Sequence, residues 1–271
     1  MKQVYLKPID RTASCLGFGC AGLDGRIGLR RSAKLIETAL DLGINYFDVA
    51  PSYGTAEEAL GHVLGNSKEV IVTTKVGPPR KPYNARKAWI RSIAKPILDR
   101  TRGLKILIRN SISKPAGAKT RPRYDFSKAG IESTVESSLK FLKRDTIDIL
   151  LAHEPHPDDL VPEVAERFES LLENGAIKAF GTGIGAVDDC WAPFGTVWQS
   201  AWPAEQIDSY QENVTYLFHR VLRNSRQSLD GRTEVPAADL IRNAHLQRPD
   251  SVLLVSASTP DRLKELADAV A

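Results

Sequence analysis

Short apolar runs rich in β-branched residues alternate with longer stretches whose apolar positions recur at helical spacing, and the alternation repeats along nearly the whole chain. The strand-forming runs, in order, are LGFGCA (16–21), INYFDVA (44–50), EVIVTTKVG (69–77), IDILLAHEP (147–155), IKAFGTGIG (177–185), TVWQSAWP (196–203), NVTYLFHRVL (213–222) and SVLLVSAST (251–259). Several are almost continuously apolar, as parallel strands covered on both faces should be.

Between them the spacing predicts helices. From Leu29 to Leu42, Leu35, Ile36, Ala39 and Leu40 form one stripe, and Gly43 follows as a stop. Further helices are predicted over Thr55–Leu64, Ser127–Leu142, Asp159–Glu173, Ala204–Glu212, Pro236–Gln247 and Pro260–Val270, whereas Ala186–Gly195 is too short and aromatic for one. A hairpin from about Gln3 to Ser14 precedes the first long strand and is placed to plug one end of the fold. Eight strands in about 250 residues suit a closed α/β barrel, the (β/α)8 or TIM architecture. The rival is an open doubly wound sheet with a phosphate-binding turn. Gly17–Gly22 does match GxGxxG, but Leu23–Gly28 is loop-like and offers no helix N-terminus to a pyrophosphate. The expectation is one barrel domain over residues 1–271, carrying an insertion at about 78–123.

Composition narrows the class. Hydrophobic residues make up 42% and charged residues 26%, which fits a folded globular chain and excludes a disordered one. No apolar run reaches the length of a membrane span, and MKQVYLKPIDRT lacks the core and cleavage site of a signal peptide. Cys15, Cys20 and Cys190 are sparse and lack metal-ligand spacing, so a cytoplasmic location is expected. The net charge of +4 hides an asymmetry: residues 78–123 hold 14 Lys/Arg against Asp99 alone, leaving 23 basic and 32 acidic residues elsewhere. The body is acidic and carries one strongly basic insertion.

Chemistry in such a barrel gathers at the C-terminal ends of the strands. Asp48, Lys75 and His153 close the second, third and fourth, Gln199 lies in the sixth and His219 in the seventh, and Tyr53 follows Asp48 in the turn APSYG. A histidine in an apolar strand is by itself more often a hydrogen-bonded core residue, but several polar groups converging on one rim form a candidate site. A buried Lys–Asp pair beside a phenol would favour ionisation of the phenol. Phe18, Trp198 and Trp202 are equally suited to line a pocket or to pack the barrel.

The run ALDLGINYFDVAPSYGTAEEALG, followed by VTTKVG and DTIDILLAHEP, resembles the aldo-keto reductase superfamily, with its D-x-x-x-x-Y-G pattern, a Lys ending the third strand and a His ending the fourth. GTGIG and YDFSKAGIESTVESSLKFL bring it nearest to bacterial members related to sugar dehydrogenases. The resemblance implies a catalytic tetrad of Asp48, Tyr53, Lys75 and His153. Tyr53 would be general acid in carbonyl reduction and base in alcohol oxidation, its pKa lowered from about 10 by Lys75. His153 would orient the substrate oxygen, and a nicotinamide would carry the hydride. For that cofactor, NADP before NAD, the resemblance implies contacts at Gly183, where the family often carries Ser-Asn, and at Gln199. It also places His219 where a Tyr commonly stacks on the ring, and Ser256 where a Lys often stands. Arg262 matches the contact to the 2′-phosphate and Glu265 the contact to adenine. No metal site is expected. The substrate class implied is an aldehyde, ketone or sugar, or the matching alcohol, sugar-like or anionic.

The basic segment ARKAWIRSIAKPILDRTRGLKILIRNSI interleaves Trp89, Ile90, Ile93, Ile97 and Leu98 with cations. It suits a solvated flap on the acidic barrel, a lid over the active site, or docking of residues 86–112 to anionic lipid or an acidic partner. Nucleic acid is not expected as a partner, because no binding motif accompanies the charge. Two other functions stay open. One is a catalytically weak nucleotide-binding barrel acting as a regulatory or partner-binding module, which the altered carboxamide contacts suggest and the intact charge cluster argues against. The other is a metal-dependent hydrolase, for which the scattered His62, His153, His156, His219 and His245 give little support.

Overall fold

The computed structural model describes residues 1–25, 27–80, 124–185, 194–202, 211–228 and 235–271. Two antiparallel strands, β1 (Gln3–Leu6) and β2 (Arg11–Ser14), form the expected N-terminal hairpin. Eight parallel strands follow: β3 (Leu16–Gly19), β4 (Tyr46–Asp48), β5 (Ile71–Val76), β6 (Ile147–His153), β7 (Ile177–Gly183), β8 (Val197–Ala201), β9 (Thr215–His219) and β10 (Val252–Val255). Each pairs with its sequence neighbour, and β10 pairs with both β9 and β3, which closes the barrel. All eight predicted strands are present, each trimmed at one or both ends.

The described helices are α1 (Leu29–Asp41), α2 (Ala56–Val63), α3 (Lys128–Leu142), α4 (Pro162–Glu173), α5 (Val221–Ser228), α6 (Ala237–Gln247) and α7 (Pro260–Asp268). The predicted starts are explained by local chemistry. Ser127 caps α3, its Oγ accepting from the Gly130 N–H at 3.1 Å. The expected helix over Asp159–Glu173 is two pieces, a 3-10 turn at Pro157–Asp159 and then α4. Pro162 keeps the preceding Val161 extended (φ −69°, ψ 161°) and itself opens α4. A larger correction concerns 213–222, read as one strand: β9 stops at His219, Arg220 takes φ 58°, and α5 begins at Val221. The left-handed residue turns the chain off the sheet, a reversal that apolar content alone does not reveal. The basic insertion from residue 81 to 123, the link 186–193 with Cys190, and most of the helix expected over Ala204–Glu212 lie outside the described residues.

The hairpin covers the N-terminal end of the barrel. Val4, Leu6 and Ala13 are buried in the core. Asn45, just before β4, accepts from the Ser14 N–H at 2.7 Å and donates to the Thr12 carbonyl at 3.1 Å. Arg11 donates to the carbonyls of Lys68 and Val70 ahead of β5 and to Asp148 Oδ1 at 3.1 Å. Asp148 is fully buried at the start of β6 and also binds Arg144 at 3.1 Å, Lys178 at 2.6 Å and the Val72 N–H at 3.0 Å. A buried carboxylate with four donors on the face opposite the strand C-termini is a staple for the barrel floor.

Candidate active site

The opposite rim holds the polar groups singled out in the sequence. Asp48 is the last residue of β4, and the chain then enters a 3-10 turn, Pro51–Tyr53, which lifts Tyr53 over the barrel mouth. Gly54 ends that turn at φ 63°, and a Cβ there would stand 2.6 Å from the Asp24 carbonyl oxygen. Both the backbone conformation and the close approach require glycine, which accounts for the Tyr-Gly pairing.

Lys75, nearly at the end of β5, is 2% exposed. Its Nζ donates to Asp48 Oδ1 at 2.5 Å and to the Val49 carbonyl at 3.0 Å. Gln199 of β8 donates from Nε2 to the same Asp48 oxygen at 2.9 Å. The ammonium lies 5.3 Å from the centre of the Tyr53 ring, and that ring meets His153 of β6 edge to face, with centroids 5.9 Å apart. The four residues, drawn from three strands and the turn after β4, form one contiguous cluster.

Their electrostatics differ in part from expectation. Burial disfavours the Lys75 ammonium, but Asp48 and Tyr53 outweigh it and hold its pKa above the ordinary 10.5. For Tyr53, burial raises the pKa above the ordinary 10.0. Lys75 opposes this as expected, but Asp48 and Glu154 add to it. The expected net lowering is therefore corrected: the phenol keeps its proton at neutral pH.

A cleft of about 750 Å³ opens over this cluster. Asp48, Tyr53 and His153 line it, as do Gly183, Gln199, His219 and Ser256 from the expected cofactor set. His219 Nε2 is 2.7 Å from the Ile184 carbonyl, which can only accept, so that nitrogen carries the proton. Burial lowers the pKa of His219, which keeps the ring neutral. Ser256 donates to the Gly19 carbonyl at 2.6 Å. Arg262 and Glu265 pair with each other at 2.5 Å near the start of α7 and are not among the cleft-lining residues. Phe18, Trp198 and Trp202 are buried against Phe47, Tyr216 and Phe218 respectively, and belong to the barrel packing.

Four charged residues that the sequence did not single out also line the cleft: Arg80, Glu154, Arg220 and Arg223. Arg220 and Arg223 were concealed by the misread strand end; the polar, helical composition of RVLRNSRQS was the available signal. Glu154 stood next to His153 in the run HEPHPDD, where His156 and Asp159 cap a 3-10 turn. Among the described residues, no group of three or more His, Cys, Asp or Glu could hold a metal ion, and no helix is long and apolar enough to cross a membrane.

Comparison with known proteins agrees with the fold. The chain is 30% identical over 178 residues to a D-threo-aldose 1-dehydrogenase from a Pseudomonas species, covering 62% of this chain and 49% of that protein. It is 27% identical over 184 residues to the uncharacterized oxidoreductase YqkF of Bacillus subtilis, covering 67% and 48%. The matched region spans about half the length of these curated relatives. Among solved structures, a glycerol dehydrogenase from Gluconobacter oxydans superposes with a TM-score of 0.71 at 20% identity, covering 100% of this chain and 90% of that one. An aldo-keto reductase from Bacillus halodurans, solved in its holo form, gives 0.66 at 22%, covering 100% and 91%. The profile of the aldo/keto reductase family matches residues 15–192, a stretch that contains Asp48, Tyr53, Lys75 and His153, and the chain belongs to that family.

Proposed function

We propose that the protein is an NADP-dependent oxidoreductase that interconverts a carbonyl (aldehyde, ketone or sugar) and an alcohol, with Tyr53 as its general acid and base. The observation that carries this is the Tyr53 ring at the cleft, with the buried Lys75 ammonium 5.3 Å from its centre and the His153 imidazole in edge contact with it. The bound dinucleotide supplies or accepts the hydride. The donor set in the cleft fits such a molecule. Gly183 leaves a surface without a side chain, where a Cβ would come within 3.0 Å of Gln199 Oε1, and His219 offers a neutral ring beside it. The guanidiniums of Arg220 and Arg223 suit a diphosphate, with Arg262 reserved for a 2′-phosphate and Glu265 for the adenine. The cleft volume lies in the range of small-molecule and cofactor sites.

In reduction, Tyr53 donates its proton to the carbonyl oxygen as negative charge develops there. His153 holds that oxygen by a hydrogen bond. Lys75, fixed by Asp48, then stabilises the phenolate left behind, and Gln199 fixes Asp48 in turn. Oxidation reverses each proton movement. Tyr53→Phe should lower kcat by a factor of about 10²–10⁴ while NADPH still binds, measured by its fluorescence. Turnover at the wild-type rate in that variant would remove Tyr53 from the mechanism.

A regulatory module that binds nucleotide without turnover draws support from one feature. The Ile184 N–H and carbonyl and the Gln199 amide, all near the expected carboxamide site, are already hydrogen-bonded within the protein. NADP(H) binding with no turnover across a broad panel of aldehydes and sugars would favour that function.

A further inference from the structure

One carboxylate in the cleft has no part in the proton transfer described above. Glu154 directly follows His153 at the end of β6, is half-buried and lines the same cleft. Its backbone takes φ 52°, a region that residues other than glycine rarely occupy and that costs on the order of 1 kcal/mol. Its N–H donates to the Gly183 carbonyl at 2.6 Å, which pins the turn to β7. The side chain lies in space that Gly185 leaves open: a Cβ on Gly185 would stand 1.5 Å from Glu154 Oε1.

Among the described residues the Glu154 carboxylate makes no hydrogen bond or ion pair. The cations of the cleft do not neutralise it; Arg80 is committed to the buried Glu57 at 2.5 Å. A half-buried carboxylate held in a strained turn is costly unless donors reach it, and a ligand in the cleft is placed to bring them. Because Glu154 lines the cleft with Tyr53 and His153 and its charge is felt at Tyr53, that donor lies close to the reacting oxygen. An anionic group there would be repelled, whereas a hydroxyl can donate.

We propose that Glu154 is a specificity residue that accepts a hydrogen bond from a hydroxyl neighbouring the reacting carbonyl, so that hydroxyaldehydes and sugars are selected over unsubstituted aldehydes. This rests on the carbonyl–alcohol chemistry proposed above and adds a substrate class to it.

The test compares kcat/KM for glyceraldehyde with that for propanal in the wild type, Glu154→Gln and Gly185→Ala. The second variant displaces the carboxylate without removing its charge. The expected result is a fall of about tenfold or more in the glyceraldehyde-to-propanal ratio in both variants, the size expected when a hydrogen bond to a charged group is lost. An unchanged ratio in both overturns the proposal. Should the wild type reduce neither aldehyde, saturation-transfer NMR of glyceraldehyde with the NADP-loaded protein separates the two ideas. A signal lost in both variants sustains the Glu154 site and assigns the failure to the reduction step; the same signal in all three proteins overturns the Glu154 site.

Discussion

Tyr53 is under two opposing influences, burial and the adjacent Lys75, and burial wins in the open cleft. An ultraviolet difference titration, with Tyr53→Phe as the blank, should therefore show the Tyr53 phenolate forming only above pH 10. Because Lys75 works against burial, Lys75→Met should move that step still higher; a downward move would contradict the assigned role of Lys75. The single variant also leaves Asp48 buried without its main partner, at a cost of about 3–5 kcal/mol. The double variant Asp48→Asn/Lys75→Met removes both charges and should recover most of that loss, read from urea midpoints. Glu154 and Gly185 show how much of a site depends on neighbours too small to draw notice in a sequence. The glycine matters because of the carboxylate that fills its empty Cβ position.

Among the elements, helix α2 packs against α3 through Gly61, where an added Cβ would come within 2.1 Å of the Phe141 carbonyl oxygen. Gly61→Ala should force the helices apart and cost about 1–3 kcal/mol, seen as a lower unfolding midpoint with unchanged NADPH affinity. The barrel floor should be more sensitive. Asp148→Ala strands Arg144, 4% exposed in its side chain, and removes the shared partner of Arg11 and Lys178, for a loss of about 3–5 kcal/mol. Denaturant unfolding checks this, and a loss below about 1 kcal/mol would show that the floor network is dispensable. The strands were legible because each is an apolar run bounded by polar turns. The join between β9 and α5 was not, since apolar character runs straight from Phe218 through Val221 and Leu222 while the backbone turns at Arg220.

For the whole molecule, the barrel rim gathers Arg220, Arg223 and the glycine-built floor at Gly183 into one cleft over the tetrad. A nucleotide that binds only the folded barrel should stabilise it by about 2.7 kcal/mol at a hundredfold excess over Kd. That corresponds to a rise in Tm of several degrees in a thermal melt. NADPH should give a larger shift than NADH at equal concentration if Arg262 leaves Glu265 for the 2′-phosphate, and Arg262→Ala should erase the difference. Equal shifts in the wild type would count against the preference for NADP.

The sequence alone determined the eight-strand rhythm, the hairpin and the convergence of Asp48, Tyr53, Lys75 and His153 on one rim, because strand periodicity is local and a barrel sends the ends of its strands to one rim. Tertiary structure decided what those groups do to one another. Desolvation of Tyr53 and the shared use of Asp48 by Lys75 and Gln199 depend on distances between side chains far apart in the chain. Electrostatic energies follow those distances and the exclusion of water, and neither is a property of any local run of residues.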